Sequence, residues 1–448
     1  MNLDKIFNPK SIAIIGASHE PNTVGLGLAK NCLEGKKLRK IYFVNPFSKK
    51  ILGQKTYVSI AEIKGNIDLA IIAVPAKIVP QICRECVIKK VGGIIIISAG
   101  FAEVGKQGEE LQKQIDSVIK NTNIPLIGPN CLGIIKPDMK LNATFAPITP
   151  KAGDIAFISQ SGALIDSVIS QTENENYGFS AVISYGNEAG LTLPDFLEWA
   201  VKDTKTKVIV LYIEGLKEGR KFFETAKRIS QIKPIIVLKG GKTRQTQQTV
   251  SSHTGALAGD NEIYAAMFKQ AGIIEVESLQ DIFDAAKLLS WQPKCTNGIA
   301  IVTNGGGAGV LMADYCSKYG INLPDLSAET EKILNDSKIM HPAWSRINPI
   351  DIVGDALSNR YQLTINTILK QKDVYGLVVI QTFQIMTESF KNAQIIVRAK
   401  KMWPKKPILT VFMGGKSDKK AIELLEKNKI PNYSDPVRAA KSLKALII

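Results

Sequence analysis

The stretch SIAIIGAS, residues 11–18, sets the pattern from which the fold can be predicted. It begins with an apolar run that suits a strand buried on both faces, and it ends in small residues that suit a turn. Similar runs recur downstream, with helical patterns between them, at residues 41–46, 69–76, 92–100 and 125–135. Strands that alternate with helices predict right-handed crossovers and a parallel sheet.

Two further sets of apolar runs follow, each after a break that contains proline and glycine. The breaks are APITPKAGD (146–154) and WQPKCTNG (291–298). The second set comprises 155–163, 180–187, 207–215 and 233–241, and the third comprises 299–309, 376–383 and 407–415. We predict an α/β fold of three domains, a Rossmann-type domain over 1–146 and two flavodoxin-like domains over 147–292 and 293–448.

Composition argues against several classes of protein. The formal net charge is +16, but the lysines are dispersed and no basic stripe is interleaved with aromatics, so we predict no nucleic-acid binding. No apolar run reaches the ~18 residues of a membrane span, and the N-terminus lacks the layout of a signal peptide. The six cysteines are scattered, and the pair Cys83–Cys86 lacks the partners of a zinc site. We therefore predict a cytoplasmic protein with no metal or membrane site.

The turn after the first strand suits a phosphate site. Gly16 permits close backbone approach, and the amides of Ala17 and Ser18 are predicted to point toward the next helix, where a pyrophosphate can bind. The stretch is not a complete G-x-G-x-x-G, so a plain tight turn is the alternative. The second strand ends VNPFSKK, with Lys49 and Lys50 and no carboxylate. This argues against NAD and suits a ligand that carries another phosphate.

Two strand ends in the second set carry candidate chemistry. In FISQSGAL (157–164) a strand turns into a helix, whose first amides and neighbouring hydroxyls would hold a phosphate or carboxylate, or would simply cap the helix. In LYIEG (211–215), Glu214 follows an apolar strand, where a carboxylate often orients a ligand; an ordinary solvated glutamate is the alternative.

The histidine of SSHTGALAGD (251–260) lies among small and polar residues rather than apolar ones. His253 in such a loop can act as a base, a nucleophile or a phosphoryl acceptor. We interpret His19 as a turn residue and His341, which precedes a proline, as structural. The stretches NGGGAG (304–309) and NPIDIVGDA (348–356) would approach a ligand or only pack closely, and both alternatives stay open.

Together these motifs resemble the α subunit of an ADP-forming acyl-CoA synthetase, of the acetate–CoA ligase type, in the succinyl-CoA synthetase superfamily. The resemblance extends over essentially the whole chain and rests on GPNCLGI, ISQSGAL, YIEG and SSHTGALAG in this order. It implies that the Rossmann-type domain binds coenzyme A, and that the two flavodoxin-like domains are of the succinyl-CoA-synthetase type.

The resemblance also implies a role for each matching residue. His253 would become phosphohistidine, and Glu214 would accept the other ring N–H. Inorganic phosphate or the phosphoryl group would bind at Ser159, Ser161, Gly162 and Ala163. Coenzyme A would contact Gly16, Ala17, Ser18, Asn45, Pro46, Val74, Pro75, Ser98, Ala99, Gly100, Phe101 and Asn130.

The sequence departs from some members of the family in one respect, because it shows neither an ATP-grasp domain nor a Walker A motif. We therefore expect ADP or ATP, with Mg²⁺, to bind a separate ATP-grasp β subunit, in an α2β2 heterotetramer, unless the chain is a piece of a longer enzyme. The acyl group and the choice of ADP or GDP are not predicted. The alternative functions are a CoA-binding sensor without turnover and a nicotinamide-dependent oxidoreductase. The absence of an acidic residue at the end of the second strand argues against the oxidoreductase.

Overall fold

The computed structural model describes residues 3–243, 245–246 and 261–447 of the chain. The chain divides into two compact units, Met1–Glu277 and Ser278–Ile448. Two of the sheets lie in the first unit and one lies in the second. The predicted α/β class is confirmed, while the division into 1–146, 147–292 and 293–448 stays a prediction.

The first sheet has seven strands in the order β3-β4-β2-β1-β5-β6-β7, and all neighbours are parallel except the hairpin β3–β4. Its strands are β1 Ser11–Ile15, β2 Lys40–Val44, β3 Lys50–Ile51, β4 Gln54–Tyr57, β5 Leu69–Ile72, β6 Ile94–Ile96 and β7 Leu126–Ile127. The opening run of the sequence forms the fully buried β1. Its helices are α1 Asp4–Phe7, α2 Val24–Leu33, α3 Val79–Ile88 and α4 Lys106–Ile119, with 3₁₀ turns at Ile60–Glu62, Ala76–Ile78 and Ala102–Val104.

The second sheet also has seven strands, in the order β14-β13-β12-β10-β11-β8-β9. They are β8 Gly133–Lys136, β9 Leu141–Thr144, β10 Ala152–Ser159, β11 Phe179–Ser184, β12 Val208–Ile213, β13 Ile235–Lys239 and β14 Ile274–Val276. The pairs β8–β9 and β8–β11 are antiparallel and the others are parallel. The helices are α5 Gly162–Gln171, α6 Leu193–Lys202, α7 Gly219–Ser230 and α8 Asn261–Gln270, with 3₁₀ turns at Pro137–Met139 and Thr172–Asn174.

The expectation of one strand over 125–135 is wrong. Residues 126–127 end the first sheet, whereas residues 133–136 pair antiparallel with β11 in the second. Gly128 and Asn130 between them both have positive φ, at 96° and 56°, which breaks the extended backbone. The GPNCLGI motif therefore lies where the chain passes from one sheet to the other.

The second unit contains a four-stranded parallel sheet in the order β16-β15-β17-β18. Its strands are β15 Ile299–Thr303, β16 Ile350–Asp351, β17 Gly376–Gln381 and β18 Ile408–Phe412. The helices are α9 Leu279–Trp291, α10 Gly306–Lys318, α11 Ala328–Asp336, α12 Ser358–Ile368, α13 Ser389–Met402, α14 Lys419–Lys427 and α15 Pro436–Leu446, with a 3₁₀ turn at Gly415–Asp418. Among the described helices none is long and apolar enough to cross a membrane.

The strand order identifies where ligands should bind. In the first sheet the chain leaves β1 toward β2 and returns to the opposite side at β5; in the second it leaves β10 toward β11 and returns at β12. Ligands of open α/β sheets bind beyond the carboxyl ends of the strands at such reversals. These ends are the turns that begin at Gly16, Ala73, Gln160 and Glu214.

Candidate functional site

The strand ends of the first sheet and the start of α5 border one cavity of about 540 Å³. The predicted residues that line it are Val74, Pro75, Ser98, Ala99, Asn130, Gly162 and Ala163. Residues that the resemblance assigns to coenzyme A and to phosphate therefore share one space. The other predicted residues that the structure describes lie outside its lining: Gly16, Ala17, Ser18, Asn45, Pro46, Gly100, Phe101, Ser159, Ser161 and Glu214.

The turn after β1 is longer than a tight phosphate loop. Gly16 has φ +94°, and a Cβ there would lie 2.1 Å from the Ala73 carbonyl oxygen, so the position requires glycine. The helix begins only at Val24, where the Thr23 hydroxyl accepts the Leu26 amide at 3.3 Å. Ala17 is buried and its carbonyl accepts the Asn45 side-chain amide at 2.9 Å, so this carbonyl is held against the second strand.

Hydrogen bonds fix the cavity wall that Val74, Ser98 and Asn130 form. The Val74 amide donates to Ser98 Oγ at 3.0 Å, and Ser98 Oγ donates to the Val74 carbonyl at 2.6 Å. The Asn130 amide donates to the Ser98 carbonyl at 3.0 Å. The polar groups on this wall are therefore held in place without a ligand, as suits a pre-formed site.

Sequence reasoning missed a pair of residues that holds these turns together. Asn187 Nδ2 donates to Glu103 Oε2 at 2.6 Å, and Asn187 Oδ1 accepts Asn130 Nδ2 at 3.3 Å. Glu103 Oε1 in turn accepts the amides of Gly100 and Phe101. Burial alone would raise the pKa of Glu103, but the hydrogen bonds outweigh it and the pKa is lowered. No local sequence signal points to this pair, because Glu103 follows β6 of the first sheet and Asn187 follows β11 of the second.

The start of α5 is a capped helix terminus. The Ser161 hydroxyl accepts the Leu164 amide at 3.3 Å, and Ser159 Oγ accepts the Ser161 amide at 3.1 Å. A Cβ at Gly162 would lie 3.1 Å from Leu132 Cβ, so the helix start packs closely on the GPNCLGI segment. The first amides of a helix have no partner within it and favour an anion. Gly162 and Ala163 supply such amides beside the cavity.

Glu214 is held from three sides at the carboxyl end of β12. The carboxylate accepts a hydrogen bond from the Tyr212 hydroxyl, whose pKa is raised to about 12 by burial and by this negative neighbour. The Glu214 amide donates to Gln160 Oε1, and its carbonyl accepts Lys239 Nζ at 2.9 Å. Gln160 also accepts the Gly215 amide at 3.0 Å. The ISQSGAL turn therefore positions the YIEG turn directly, through a glutamine that lies inside the first motif.

Lys239 and Tyr185 lie within electrostatic reach of Glu214. Lys239 lies 4.7 Å from the centroid of the Tyr264 ring; burial lowers its pKa, and the nearby Glu214 carboxylate acts in the opposite direction. Tyr185 is fully buried, and its hydroxyl has no partner among the described residues. Burial, then the charges of Glu188 and Glu214, raise the pKa of Tyr185. Burial also raises the pKa of Glu188, to about 7. His253 lies outside the described residues.

All six cysteines are buried, and Cys131 lines the cavity. Its thiol donates to the Ile96 carbonyl at 3.2 Å, and burial raises its pKa to about 12. Over the described part of the chain, no three metal-ligating side chains cluster.

The glycine-rich turn of the second unit shows the same arrangement of a strand, a turn and a helix. Asn304 Nδ2 donates to Gln384 Oε1 at 2.8 Å, and Asn304 Oδ1 accepts the Thr382 amide at 2.8 Å. A Cβ at Gly306 would lie 2.7 Å from Asp351 Oδ2. Close packing thus accounts for Gly306, and the choice between packing and ligand approach stays open for the rest of the turn.

Comparison with known proteins gives three family matches in sequence. A CoA binding domain matches residues 10–137, a succinyl-CoA ligase like flavodoxin domain matches 152–289, and a ligase-CoA domain matches 299–443. The predicted CoA-binding and succinyl-CoA-synthetase types of domain are thereby confirmed.

Curated relatives and a solved structure resemble the whole chain. The chain is 40% identical to the acetate–CoA ligase [ADP-forming] II subunit alpha of Pyrococcus furiosus, over 99% of this chain and 97% of that one. It is 40% identical to acetate–CoA ligase [ADP-forming] I of Archaeoglobus fulgidus, of which it spans 63%. It also superimposes on the dinucleotide forming acetyl-coenzyme A synthetase 1 of Ca. Korarchaeum cryptofilum, in complex with phosphate and ADP, with a TM-score of 0.93 and 36% identity, over 99% of this chain and 96% of that one. The chain therefore belongs to the family of ADP-forming acetate–CoA ligases, in the part that corresponds to their α subunit.

Proposed function

We propose that the chain carries the acyl-CoA site and the phosphoryl-accepting histidine of an ADP-forming acyl-CoA synthetase. The observation that supports this most directly is the shared cavity, in which the turns assigned to coenzyme A face the first residues of α5. A thioester carbonyl and an inorganic phosphate must meet for the first step, and this cavity offers a place for both. Gly16, Ala17, Ser18, Asn45 and Pro46 would hold more distant parts of coenzyme A.

The reaction proceeds in three transfers. A phosphate oxygen attacks the thioester carbonyl carbon, and the C–S bond breaks. The CoA thiolate departs, and the product is an acyl phosphate. The imidazole of His253 then attacks phosphorus, and the bond to the acyl oxygen breaks to release the free acid as a carboxylate. Finally the phosphoryl group passes to an oxygen of ADP and gives ATP. Positioning and electrostatic stabilisation of the transferred group supply most of the catalysis in such reactions.

The residues of this chain would hold and orient the reactants. The amides of Gly162 and Ala163, with the hydroxyls of Ser159 and Ser161 behind them, would stabilise the phosphate charge at the start of α5. Glu214 would accept the second ring N–H of His253, which fixes the tautomer and stabilises the charged ring. The three hydrogen bonds to Glu214 support that role, because an orienting group must itself be fixed.

The nucleotide would bind a different subunit. We propose that ADP, with Mg²⁺, binds an ATP-grasp β subunit and that the two subunits form an α2β2 heterotetramer. The Pyrococcus relative, which is named as an α subunit and matches over almost its full length, supports this arrangement. The same proposal places the enzyme in the cytoplasm, where thiols stay reduced. A non-catalytic CoA sensor is not favoured, since the relatives are ligases.

Acid-labile phosphorylation tests the proposal. The chain is incubated with acetyl-CoA and a panel of other acyl-CoAs in labelled phosphate, with and without an ATP-grasp subunit. We expect label on the wild type, none on His253→Ala, and full label on the matched control His341→Ala. Coenzyme A should bind His253→Ala as tightly as wild type. If coenzyme A binds but no acyl-CoA gives label with the partner present, the chain is a sensor and the proposal fails.

A further inference from the structure

Asn130 lines the cavity, and an asparagine side chain can offer a ligand either an N–H donor or a carbonyl acceptor. Asn130 Nδ2 donates to Asn187 Oδ1 at 3.3 Å, which leaves the acceptor Asn130 Oδ1 for the cavity. A free amide group can turn about its last bond and exchange the two atoms. The groups behind Asn187 therefore decide which atom of Asn130 a ligand meets.

The Glu103 carboxylate fixes the orientation of Asn187. An ionised carboxylate only accepts hydrogen bonds, and Glu103 stays ionised, because the hydrogen bonds to it outweigh its burial and lower its pKa. Asn187 must therefore turn its Nδ2 toward Glu103 Oε2, and these two atoms lie 2.6 Å apart. Glu103 Oε1 accepts the amides of Gly100 and Phe101 at 2.5 and 3.1 Å, so both carboxylate oxygens are engaged.

Gln112 imposes the same orientation from a second direction. Its Oε1 accepts the Ala102 amide at 3.4 Å, which identifies this atom as an acceptor, and it also accepts Asn187 Nδ2 at 3.3 Å. Asn187 and Gln112 are both buried, so bulk water does not compete for these bonds. With its Nδ2 engaged in this way, Asn187 offers only Oδ1 to Asn130, which must donate through Nδ2.

The cavity consequently presents two polar groups of opposite character. Gly162 and Ala163 supply N–H donors at the start of α5, which suit phosphate. Asn130 supplies an acceptor oxygen, which is unsuited to phosphate but suits an N–H donor. The pantetheine arm of coenzyme A carries amide N–H groups on the way to its thiol. An acceptor on this wall can therefore bind the arm and leave the donors at α5 to phosphate.

We propose that Asn187 is a positioning residue of the acyl-CoA site, which holds Asn130 so that its Oδ1 accepts an amide N–H of the pantetheine arm. The inference rests on the proposed function and specifies how the same cavity distinguishes coenzyme A from phosphate. Asn187 does not itself line the cavity. It acts through Asn130, and the Glu103 carboxylate sets the direction of both amides.

An exchange of the two side-chain types tests the proposal. In Glu103→Gln the side-chain oxygen still accepts the two backbone amides, so the new amide nitrogen faces Asn187 Nδ2 and both asparagines must turn round. In Asn187→Asp two carboxylates face each other. In the double variant Glu103→Gln/Asn187→Asp an amide nitrogen again meets a carboxylate oxygen, and the second oxygen of that carboxylate again accepts Asn130 Nδ2.

Calorimetric titration with coenzyme A measures the result, on variants that thermal unfolding shows to be folded. We expect each single variant to bind coenzyme A roughly tenfold more weakly than the wild type, and the double variant to return to within about threefold. Asn187→Ala, which removes the amide without adding a charge, should also weaken binding and serves if another single variant fails to fold. The matched control Glu109→Gln, an exposed change on α4, should bind like the wild type.

The exchange separates positioning from a merely structural role, because a structural role changes the unfolding temperature and leaves the affinity of the folded protein unchanged. Wild-type affinity in folded Glu103→Gln and Asn187→Ala would overturn the inference. So would a folded double variant that binds as weakly as the single ones. If the wild type binds no coenzyme A, or if no acyl-CoA labels His253, the proposed function itself is rejected.

Discussion

At the scale of single residues, Glu214 shows what a sequence can and cannot reveal. Its place after an apolar strand marks it as a candidate, and the structure does place it at the carboxyl end of β12. The groups that hold it could not be predicted, since they depend on pairing between strands. The register of β12 and β13 sets Lys239 beside Ile213, which brings Lys239 Nζ to the Glu214 carbonyl. Gln160 comes from the end of β10, the other neighbour of β12.

Tyr212→Phe tests whether the hydroxyl positions Glu214. The change removes one hydrogen bond to a carboxylate and keeps the ring. Such bonds contribute about 1.5–3 kcal/mol, so the rate of His253 phosphorylation should fall roughly tenfold or more. KM for acyl-CoA should stay the same, because Tyr212 does not line the cavity.

The control for this prediction is Tyr375→Phe, which alters a tyrosine on the surface of the other unit and should leave both constants unchanged. A rise in KM with an unchanged kcat would contradict a positioning role for Tyr212.

At the scale of secondary-structure elements, the turns that follow the strands carry most of the predicted chemistry. The sequence suffices to place a helix after each glycine- or serine-containing turn, because the caps and the apolar pattern are local. It does not suffice for residues 125–135. Residues 133–136 of that run pair with β11, which lies about fifty residues further along the chain. Tertiary contacts, and not the local sequence, determine this pairing.

Gly25→Ala tests the contact between α2 and the turn after β1. A Cβ at Gly25 would lie 2.2 Å from the Gly16 carbonyl oxygen and 3.0 Å from the Ser18 amide nitrogen, so the helix must move away from the turn. Gly307 is the matched control, since it is likewise the second residue of a helix but has open space around it.

Thermal unfolding and calorimetric titration with coenzyme A measure the result. Gly25→Ala should destabilise the protein by about 1–3 kcal/mol and weaken coenzyme A binding. Gly307→Ala should be neutral or gain up to about 1 kcal/mol from helix propensity, with unchanged binding. Equal behaviour of the two variants would show that the contact at Gly25 is not limiting.

At the scale of the whole molecule, the alternation of strands and helices predicts the class of fold, and three sheets follow from three sets of runs. The boundary between the compact units is harder to predict from the sequence. Buried polar pairs attach α9 to the unit Ser278–Ile448, and these pairs have no local sequence signal. Lys287 on α9 is buried, and its Nζ lies 3.2 Å from the buried Glu426 carboxylate. Arg438 binds Asp284 of the same helix through two bonds of 2.7 Å. Such pairs join residues that are far apart in sequence.

Lys287→Met tests how strongly this pair holds the unit Ser278–Ile448. Lys287→Met takes the ammonium away from the buried Glu426 carboxylate, so we expect a loss of about 3–5 kcal/mol in that unit. The double variant Lys287→Met/Glu426→Leu should recover most of it. Hydrogen exchange should quicken in α9 and α14 and stay unchanged in the strands of the first sheet. A single variant as stable as the wild type would refute this assignment.

The burial of Cys131 has a consequence for the proposed binding of an acyl-CoA in the cavity. A thiolate beside an acyl-CoA would compete for the acyl carbon, and in an oxidised cell it would trap the coenzyme as a mixed disulfide. The Cys131 thiol is instead committed to the Ile96 carbonyl, and its pKa of about 12 keeps it protonated. Under the proposed function, the Cys131 thiol would therefore not take the acyl group from the bound acyl-CoA.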